Sequence, residues 1–391
     1  MTMPDAPSTD APPPIRKEPA VTKAPPQGKQ FPCIQCGARL DFDPKIRGLQ
    51  CPYCGHQEKI ARGSDDTIVE RDYLKYLENL DGQTKPIPGR ESQTRCTGCG
   101  ALVLLEEHVV TDKCPFCATH LVNQPVAVAG MICPECLLPF SIDLRKARQK
   151  FDAWLHELWF APTELKKIAN LGQLSGVYVP FWTYDAMTYT FYEGQRGDNY
   201  TDYETYTVTD SNGNRRTETR TVTRIRWYSV TGEVQHFFDD VLVIASKSLP
   251  DSLTDNLEPW EIAKLEPFQA EFLSSFKTER YTIGLKEGFQ IAKSLIEPEI
   301  HRLICRDIGG DHQRVENKKS KYSAITFKHL LLPVWVAAYR YHDQTFQILI
   351  NGRSGKVVGK RPWSSWKIAR AAALVVVGVT AIVLLVVKFN R

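Results

Sequence analysis

The sequence predicts a multidomain chain: two small β ribbons, an α+β central domain with a long β-hairpin arm, and one C-terminal transmembrane helix. Three observations predict it. Ten of the eleven cysteines fall in Cys-x-x-Cys pairs, aromatic and β-branched residues alternate through the middle of the chain, and Ala371 to Val387 carries no charge. At 391 residues the chain is long for one domain. Its 42% hydrophobic and 24% charged content excludes a wholly disordered protein. The net charge of +4 is too balanced to argue for nucleic-acid binding from overall electrostatics.

The pattern divides the chain into seven stretches. Residues 1–30 hold eight prolines and few large apolar side chains, so they read as a disordered tail without a secretory signal. Residues 31–60 and 96–125 are the ribbons. Residues 61–95 are a linker with a short helix (Val69, Tyr73, Leu77, Leu80) and a Lys85-Pro-Ile-Pro-Gly-Arg stretch, which mounts the ribbons separately. Residues 126–169 hold a lone cysteine pair and an amphipathic helix, 170–362 the α+β domain, and 363–391 the anchor.

The anchor reading rests on the apolar run being hydrophobic on every face, with Lys367, Arg370, Lys388 and Arg391 bracketing it. Lys360 and Arg361 add basic charge on the N-terminal side, so the positive-inside rule places the large N-terminal part in the cytosol. The expectation is a tail-anchored, single-pass protein of the cell inner membrane, with Trp363 and Trp366 at headgroup level. Cytosolic thiols stay reduced, so paired cysteines there point to metal rather than disulfides.

Cys33 and Cys36 precede Cys51 and Cys54 with the same spacing by which Cys96 and Cys99 precede Cys114 and Cys117; the second set repeats the first. Glycine follows three of the four pairs (Gly37, Gly55, Gly100), and Ala118 departs from that form. Two knuckles offering two sulfurs each make a tetrahedral thiolate site, so two structural Zn²⁺ ions are expected. Neither unit is large enough to build a core alone, and metal binding would supply folding energy. A further pair, Cys133 and Cys136, lacks a matching second knuckle; the same spacing lands on Phe151 and Trp154. It reads as a degenerate metal pair, with Phe151 and Trp154 on the core face of a helix over 143–160.

In the middle domain, Gly176-Val-Tyr-Val-Pro-Phe-Trp182 recurs in outline as Leu330-Leu-Leu-Pro-Val-Trp335, which suggests two related strand-rich halves. Helices are expected near 260–276 and 285–306, and a hairpin over 346–358. Tyr200 to Tyr228 is dense in Thr, Tyr and Arg around Asn212-Gly213, a two-residue hairpin signal that would set Asp210 opposite Arg215. Polar on both faces, it reads as a projecting arm.

No catalytic set accompanies these features. There is no phosphate loop, His-Glu-x-x-His or Gly-x-Ser-x-Gly. Asp239 and Asp240, as strand neighbours, would point to opposite faces and not share a proton. Cys305 reads as a small core residue. The ribbons' Arg39, Lys45, Arg47 and Lys113 are offset by Asp41, Asp43, Glu106 and Glu107, unlike a phosphate-reading surface.

The ribbons, together with Val179-Pro-Phe-Trp-Thr-Tyr-Asp185, Trp227-Tyr-Ser-Val-Thr-Gly, His236-Phe-Phe-Asp-Asp, Lys247-Ser-Leu-Pro, Leu257-Glu-Pro-Trp, Arg306-Asp-Ile-Gly-Gly-Asp and Leu332-Pro-Val-Trp, resemble a bacterial family. It comprises TFIIB-type zinc-ribbon membrane proteins often labelled as like primosomal protein N′ (replication factor Y) or a superfamily II helicase. The resemblance spans residues 30 to about 370 and transfers only the eight ribbon cysteines. It implies an adaptor working with SPFH-domain or phage-shock-type proteins. The expected function is therefore a non-enzymatic membrane-tethered adaptor for protein partners, without a small-molecule substrate. A membrane-associated nucleic-acid-binding factor, without helicase activity, is the alternative.

Overall fold

The computed structural model describes residues 31–61, 67–79, 92–105, 112–121, 126–127, 131–157, 174–209, 214–341, 344–359 and 365–389. The proline-rich tail, the Lys85–Arg90 stretch, residues 158–173, Glu106 and Glu107, the Asn212-Gly213 turn with Asp210, and Lys360, Arg361 and Trp363 lie outside them.

Three long strands make the frame: β1 (Ser175–Thr209), β2 (Arg215–Ile244) and β3 (His312–Tyr341). Each has 30 residues or more, several times the usual strand of about 6 residues. β1 is central and pairs antiparallel with both others. Along its outer edge β3 is joined by Arg71–Asp72, then Cys136–Leu137, then β4 (Gln344–Asn351), which pairs with β5 (Val357–Gly359). The two recurring segments face each other across β1 and β3, with Gly176 opposite Trp335 and Pro180 opposite Leu331. They are neighbouring strands of one sheet rather than separate halves.

Among the described residues the helices are α1 (Tyr73–Glu78), α2 (Leu144–Glu157), α3 (Leu285–Ile308) and α4 (Ser365–Phe389), besides a single turn at Asp251–Thr254. α1 is shorter than the linker pattern suggested, and Val69 lies outside it. α2 buries Ala147, Phe151 and Leu155, as the helical period requires, with Trp154 packed at the margin. α3 buries Phe289, Ala292, Ile296, Ile300, Ile304 and Ile308, one stripe laid along the sheet. Its start is pinned by Trp182 Nε1 donating to Ile283 O at 2.9 Å and Tyr184 OH donating to Leu285 O at 2.8 Å. A Cβ at Gly288 would sit 2.5 Å from the Tyr184 hydroxyl, so glycine is what lets the helix approach.

The helix expected near 260–276 does not form. That stretch holds 3₁₀ turns at Ile262–Lys264 and Ala270–Leu273 around the short strand Glu266–Pro267. Pro259 and Pro267 break the helical hydrogen-bond ladder, and the apolar residues point into two different cores.

Midway along β1 both neighbours bulge at the same level. Tyr184 pairs with Val241 but Ala186 with Phe238; Asp185 pairs with Thr326 but Met187 with Ser323. Each neighbour inserts one extra residue, and Asp240 (φ 48°) and Ala324 (φ 47°) turn left-handed to absorb it. Asp185, buried, holds both sides: it accepts from the Asp240 N–H at 2.7 Å and the Thr326 hydroxyl at 2.6 Å. The bulge moves the register by one, so Arg215 pairs with Thr209 rather than with Asp210. In this register Glu204 lies directly opposite Arg220 and binds it at 2.9 Å.

Glu279, fully buried, accepts from the Ser246 and Ser248 hydroxyls. Burial pushes its carboxyl up to about 7, partly opposed by the Ser248 and Ser246 hydrogen bonds. A carboxyl whose folded-state pKa lies above its ordinary 4.5 destabilises the fold progressively between pH 4.5 and about 7. Glu279→Gln should therefore gain on wild type across that window, by up to roughly 3 kcal/mol at neutral pH. Thermal unfolding of both proteins at pH 4.5 and pH 8 checks it; a melting-temperature difference independent of pH would contradict the assignment.

Candidate metal centres

Each cysteine unit is built from two tight turns that end in a left-handed residue. The amides of Gly37, Gly55, Gly100 and Ala118 donate to the carbonyls of Cys33, Cys51, Cys96 and Cys114 at 2.8 to 3.1 Å. Their φ values are 70°, 75°, 78° and 58°. Three of the four are glycine because the turn demands that conformation, and Ala118 adopts it against the steric cost of its Cβ.

The turns bring four sulfurs together in both units, Cys33, Cys36, Cys51 and Cys54, and Cys96, Cys99, Cys114 and Cys117. The cross-pairing is identical. Cys33 Sγ lies 3.5 Å from Cys54 Sγ and Cys36 Sγ 3.5 Å from Cys51 Sγ; the second unit gives 3.4 Å for Cys96–Cys117 and 3.6 Å for Cys99–Cys114. A tetrahedral ion with metal–sulfur bonds of about 2.3 Å sets its sulfurs about 3.8 Å apart, so both groups could hold a metal ion with little movement. None of the eleven cysteines is in a disulfide. The electrostatics suit a cation. The backbone N–H of Cys54 leads in pulling the Cys51 thiol down to about 6, against the effect of burial, and that of Tyr53 adds to it. The neighbouring Cys99 sulfur, with burial, holds Cys114 well above the usual range. Four sulfurs this close ionise together only when a cation shares them.

The two sites differ in surroundings. In the first, Cys36 and Cys54 are exposed; in the second, only Cys99 is. Both are fixed to the central sheet, although the linker suggested separate mounting. The first packs Phe42 on Phe272 at 5.3 Å between rings, and Ser274 Oγ donates to Leu40 O at 2.6 Å. The second contributes Leu102–Leu105 to the sheet itself, paired with Lys277–Glu279. Its buried Phe116 accepts from Gln347 Nε2 at 2.8 Å.

Cys133 and Cys136 join neither group. Cys136 is wholly buried in the sheet beside Leu330, and burial raises its thiol to about 12. The residue between them does the bonding: Glu135 forms an ion pair with Arg71 Nε at 2.6 Å and accepts from the His329 N–H at 2.6 Å. No sequence pattern marked that role. Cys305 is half-buried on α3 with His301 Nε2 at 3.5 Å.

Strand alternation would set Asp239 and Asp240 on opposite faces, but the bulge brings them together with Asp185. Asp185, Asp239 and Asp240 bring carboxylate oxygens within 4.8 Å of one another, because Asp240 no longer alternates with its neighbour. Lys328 already supplies the cation, with Nζ 2.7 Å from Asp240 and 2.9 Å from Glu70. Burial works against that ammonium, but the Asp240 and Glu70 carboxylates hold its pKa above the usual lysine value.

No family model matches the chain, and no solved structure matches it. A curated protein of Bacillus subtilis (strain 168), named uncharacterized protein YdjG, is 27% identical over 349 residues, covering 87% of this chain and 92% of its own length.

Three outcomes test the centres. Serine at Cys99 and Cys114 should lower bound metal from two ions per chain to one by elemental analysis and unfold part of the main sheet. Serine at Cys36 and Cys54 should lose one ion with less effect on the melting temperature, because those sulfurs lie at the surface. Ala118→Gly, which removes the Cβ from a left-handed position, should stabilise the second unit by about 1 kcal/mol, read as slower metal loss to a chelator.

Proposed function

We infer that this chain is a non-enzymatic adaptor that binds protein partners at the cytosolic face of a bacterial inner membrane, with two structural zinc ions holding its ribbons. The observation that carries the reading is α4. Ala369–Phe389 is an apolar helix of 21 residues, none of its most apolar window is buried, and it follows a folded body. It is about 32 Å long at 1.5 Å per residue, enough for a hydrocarbon core of about 30 Å. A helix apolar on all sides and left in water would aggregate, so lipid is its natural surrounding.

Zinc is favoured because both sites offer only thiolates in a tetrahedral array, the preference of a borderline-soft ion without redox chemistry. Its role is to fix the ribbons against the sheet. The cytosolic orientation rests on the basic residues before the helix and on the need for reduced thiols. SPFH-domain or phage-shock-type proteins are the partners that the family resemblance implies. The long strands supply the means of reaching them: β3 runs on the order of 100 Å if extended, so the sheet carries surface far from the anchor.

Deleting 365–391 should move the protein from the membrane fraction to the soluble fraction. Crosslinked purification of the full chain from bacterial membranes should enrich membrane-associated proteins several-fold over that deletion variant. Equal recovery from both would overturn the adaptor reading, and tight, salt-sensitive binding of the full chain to DNA or RNA would replace it with a nucleic-acid-binding role.

A further inference from the structure

Three segments far apart in the chain meet around a cavity of about 540 Å³. Arg95 and Gln93 come from the strand Ser92–Arg95 of the second cysteine unit, Lys247 follows β2, and Arg280, Tyr281 and Thr282 precede α3. Backbone bonds fix the meeting: the Arg280 N–H donates to Leu102 O at 2.9 Å and the Thr282 N–H to Ala245 O at 2.8 Å. Three of the lining residues are cations, and among the described residues none is a carboxylate.

The donors are held ready for a ligand. Arg280 Nη1 donates to Gln93 Oε1 at 2.9 Å, and its guanidinium lies over the Tyr281 ring at 6.0 Å from the centroid. Arg95 donates from Nη1 to Gly100 O at 3.3 Å and has no carboxylate partner among the described residues. Thr282 Oγ1 already accepts from the Lys247 N–H at 2.9 Å, which leaves the hydroxyl proton to be donated. Two carboxylates lie close by. Glu279 turns inward to the Ser246 and Ser248 hydroxyls. Glu287 meets Lys247 Nζ at 2.8 Å, but both side chains are more than half exposed, so this pair is weak and open to exchange with a stronger anion.

We propose that this cavity binds a phosphate group. Two guanidinium forks, an ammonium and a hydroxyl arrive from three segments, which suits a tetrahedral anion with oxygens on every side better than a planar carboxylate. The volume falls within the range of about 300–1,000 Å³ for small-molecule sites, so the phosphate belongs to a larger molecule. The fold allows two sources of that chemistry. Ser248, next to Lys247, accepts from Gln347 Nε2 at 3.2 Å; the following Ile348 pairs with Gly359, and α4 starts six residues further on at Ser365. Six residues span at most about 20 Å, which keeps this side of the body close to the headgroup layer of a bilayer holding α4. An anionic phospholipid headgroup and a soluble phosphate ester therefore both fit.

The phosphate site does not depend on the adaptor reading; only its lipid source rests on α4 lying in a bilayer. The test uses the purified full chain in a neutral detergent, without partners, so either idea can fail alone. Native mass spectrometry with added phosphatidylglycerol or phosphatidylcholine reads the lipid source, and calorimetry with glycerol 1-phosphate reads the soluble one. At least one of the two anionic ligands should bind: retention of phosphatidylglycerol over phosphatidylcholine assigns a headgroup, and binding of glycerol 1-phosphate a soluble ester. Arg95→Gln with Lys247→Gln, both at exposed positions, should weaken that binding by about tenfold or more, with metal content and melting temperature unchanged. Arg95→Lys with Lys247→Arg, which keeps both charges, should recover most of it. Binding of neither anionic ligand, binding unchanged in the glutamine variant, or loss in that variant of affinity for DNA alone would each overturn the proposal.

Discussion

Residues 272–280 are the constraint on which the rest of the structure depends. Within this short segment Phe272 and Phe276 receive Phe42 of the first cysteine unit, and Ser274 bonds Leu40. A few residues on, Thr278 and Glu279 pair with Leu104 and Val103 of the second unit, while Val177 and Tyr178 of β1 pair with Lys277 and Thr278. Phe276 also stacks on Phe140 at 4.1 Å and meets Trp335 of β3. One extended stretch thus ties both candidate metal centres to the central sheet. Units of this size do not hold a core alone. Here they borrow one, and the sulfurs are positioned by the sheet as well as by whatever ion they bind.

The second determinant is the paired bulge around Asp185. Continuous strands of this length would twist without any fixed point of register. The carboxylate of Asp185, bonded to one neighbour through the Asp240 amide and to the other through Thr326, locks both insertions at one level. Everything beyond that level follows from it. The stripe of α3 meets Tyr192 and Phe238 on one side, Tyr192 OH donates to Asp307 at 2.5 Å, and the arm emerges with charges on one face and threonines on the other.

Around these two features the interior keeps an unusual set of buried ionisable groups. His329, wholly buried between Trp182 and Tyr281, donates from Nδ1 to Ile132 O at 2.8 Å, and burial lowers its pKa to about 4, so it is neutral. Next to it burial raises Glu135 to about 7 against the pull of Arg71. Lys328 bridges Asp240 and Glu70. Each group joins segments distant in the chain: Glu135 and Arg71 bind the cysteine-pair loop to the stretch between the ribbons, and Lys328 binds that stretch to the bulge. Such pairs add little net stability but penalise the wrong partner heavily, which suits a sheet assembled from many short, weakly specified strands.

The local features were legible in the sequence because each is fixed by short-range chemistry. Cysteine spacing sets two sulfurs on each turn, glycine marks the left-handed position after three of the four turns, and a charge-free run makes a helix apolar on every side. α3 and the β4–β5 hairpin are equally local in their periodicity and turn residues. What the tertiary structure decided lies in contacts between residues far apart along the chain. The ribbons' attachment through residues 272–280, the failure of the helix expected near 260–276, and the pairing of the two recurring segments all depend on which strand lies beside which. The arm shows the boundary most clearly. Asn212-Gly213 predicted a hairpin, but its register was set far away at Asp185, where the residue inserted in β2 outweighs the local preference of the turn.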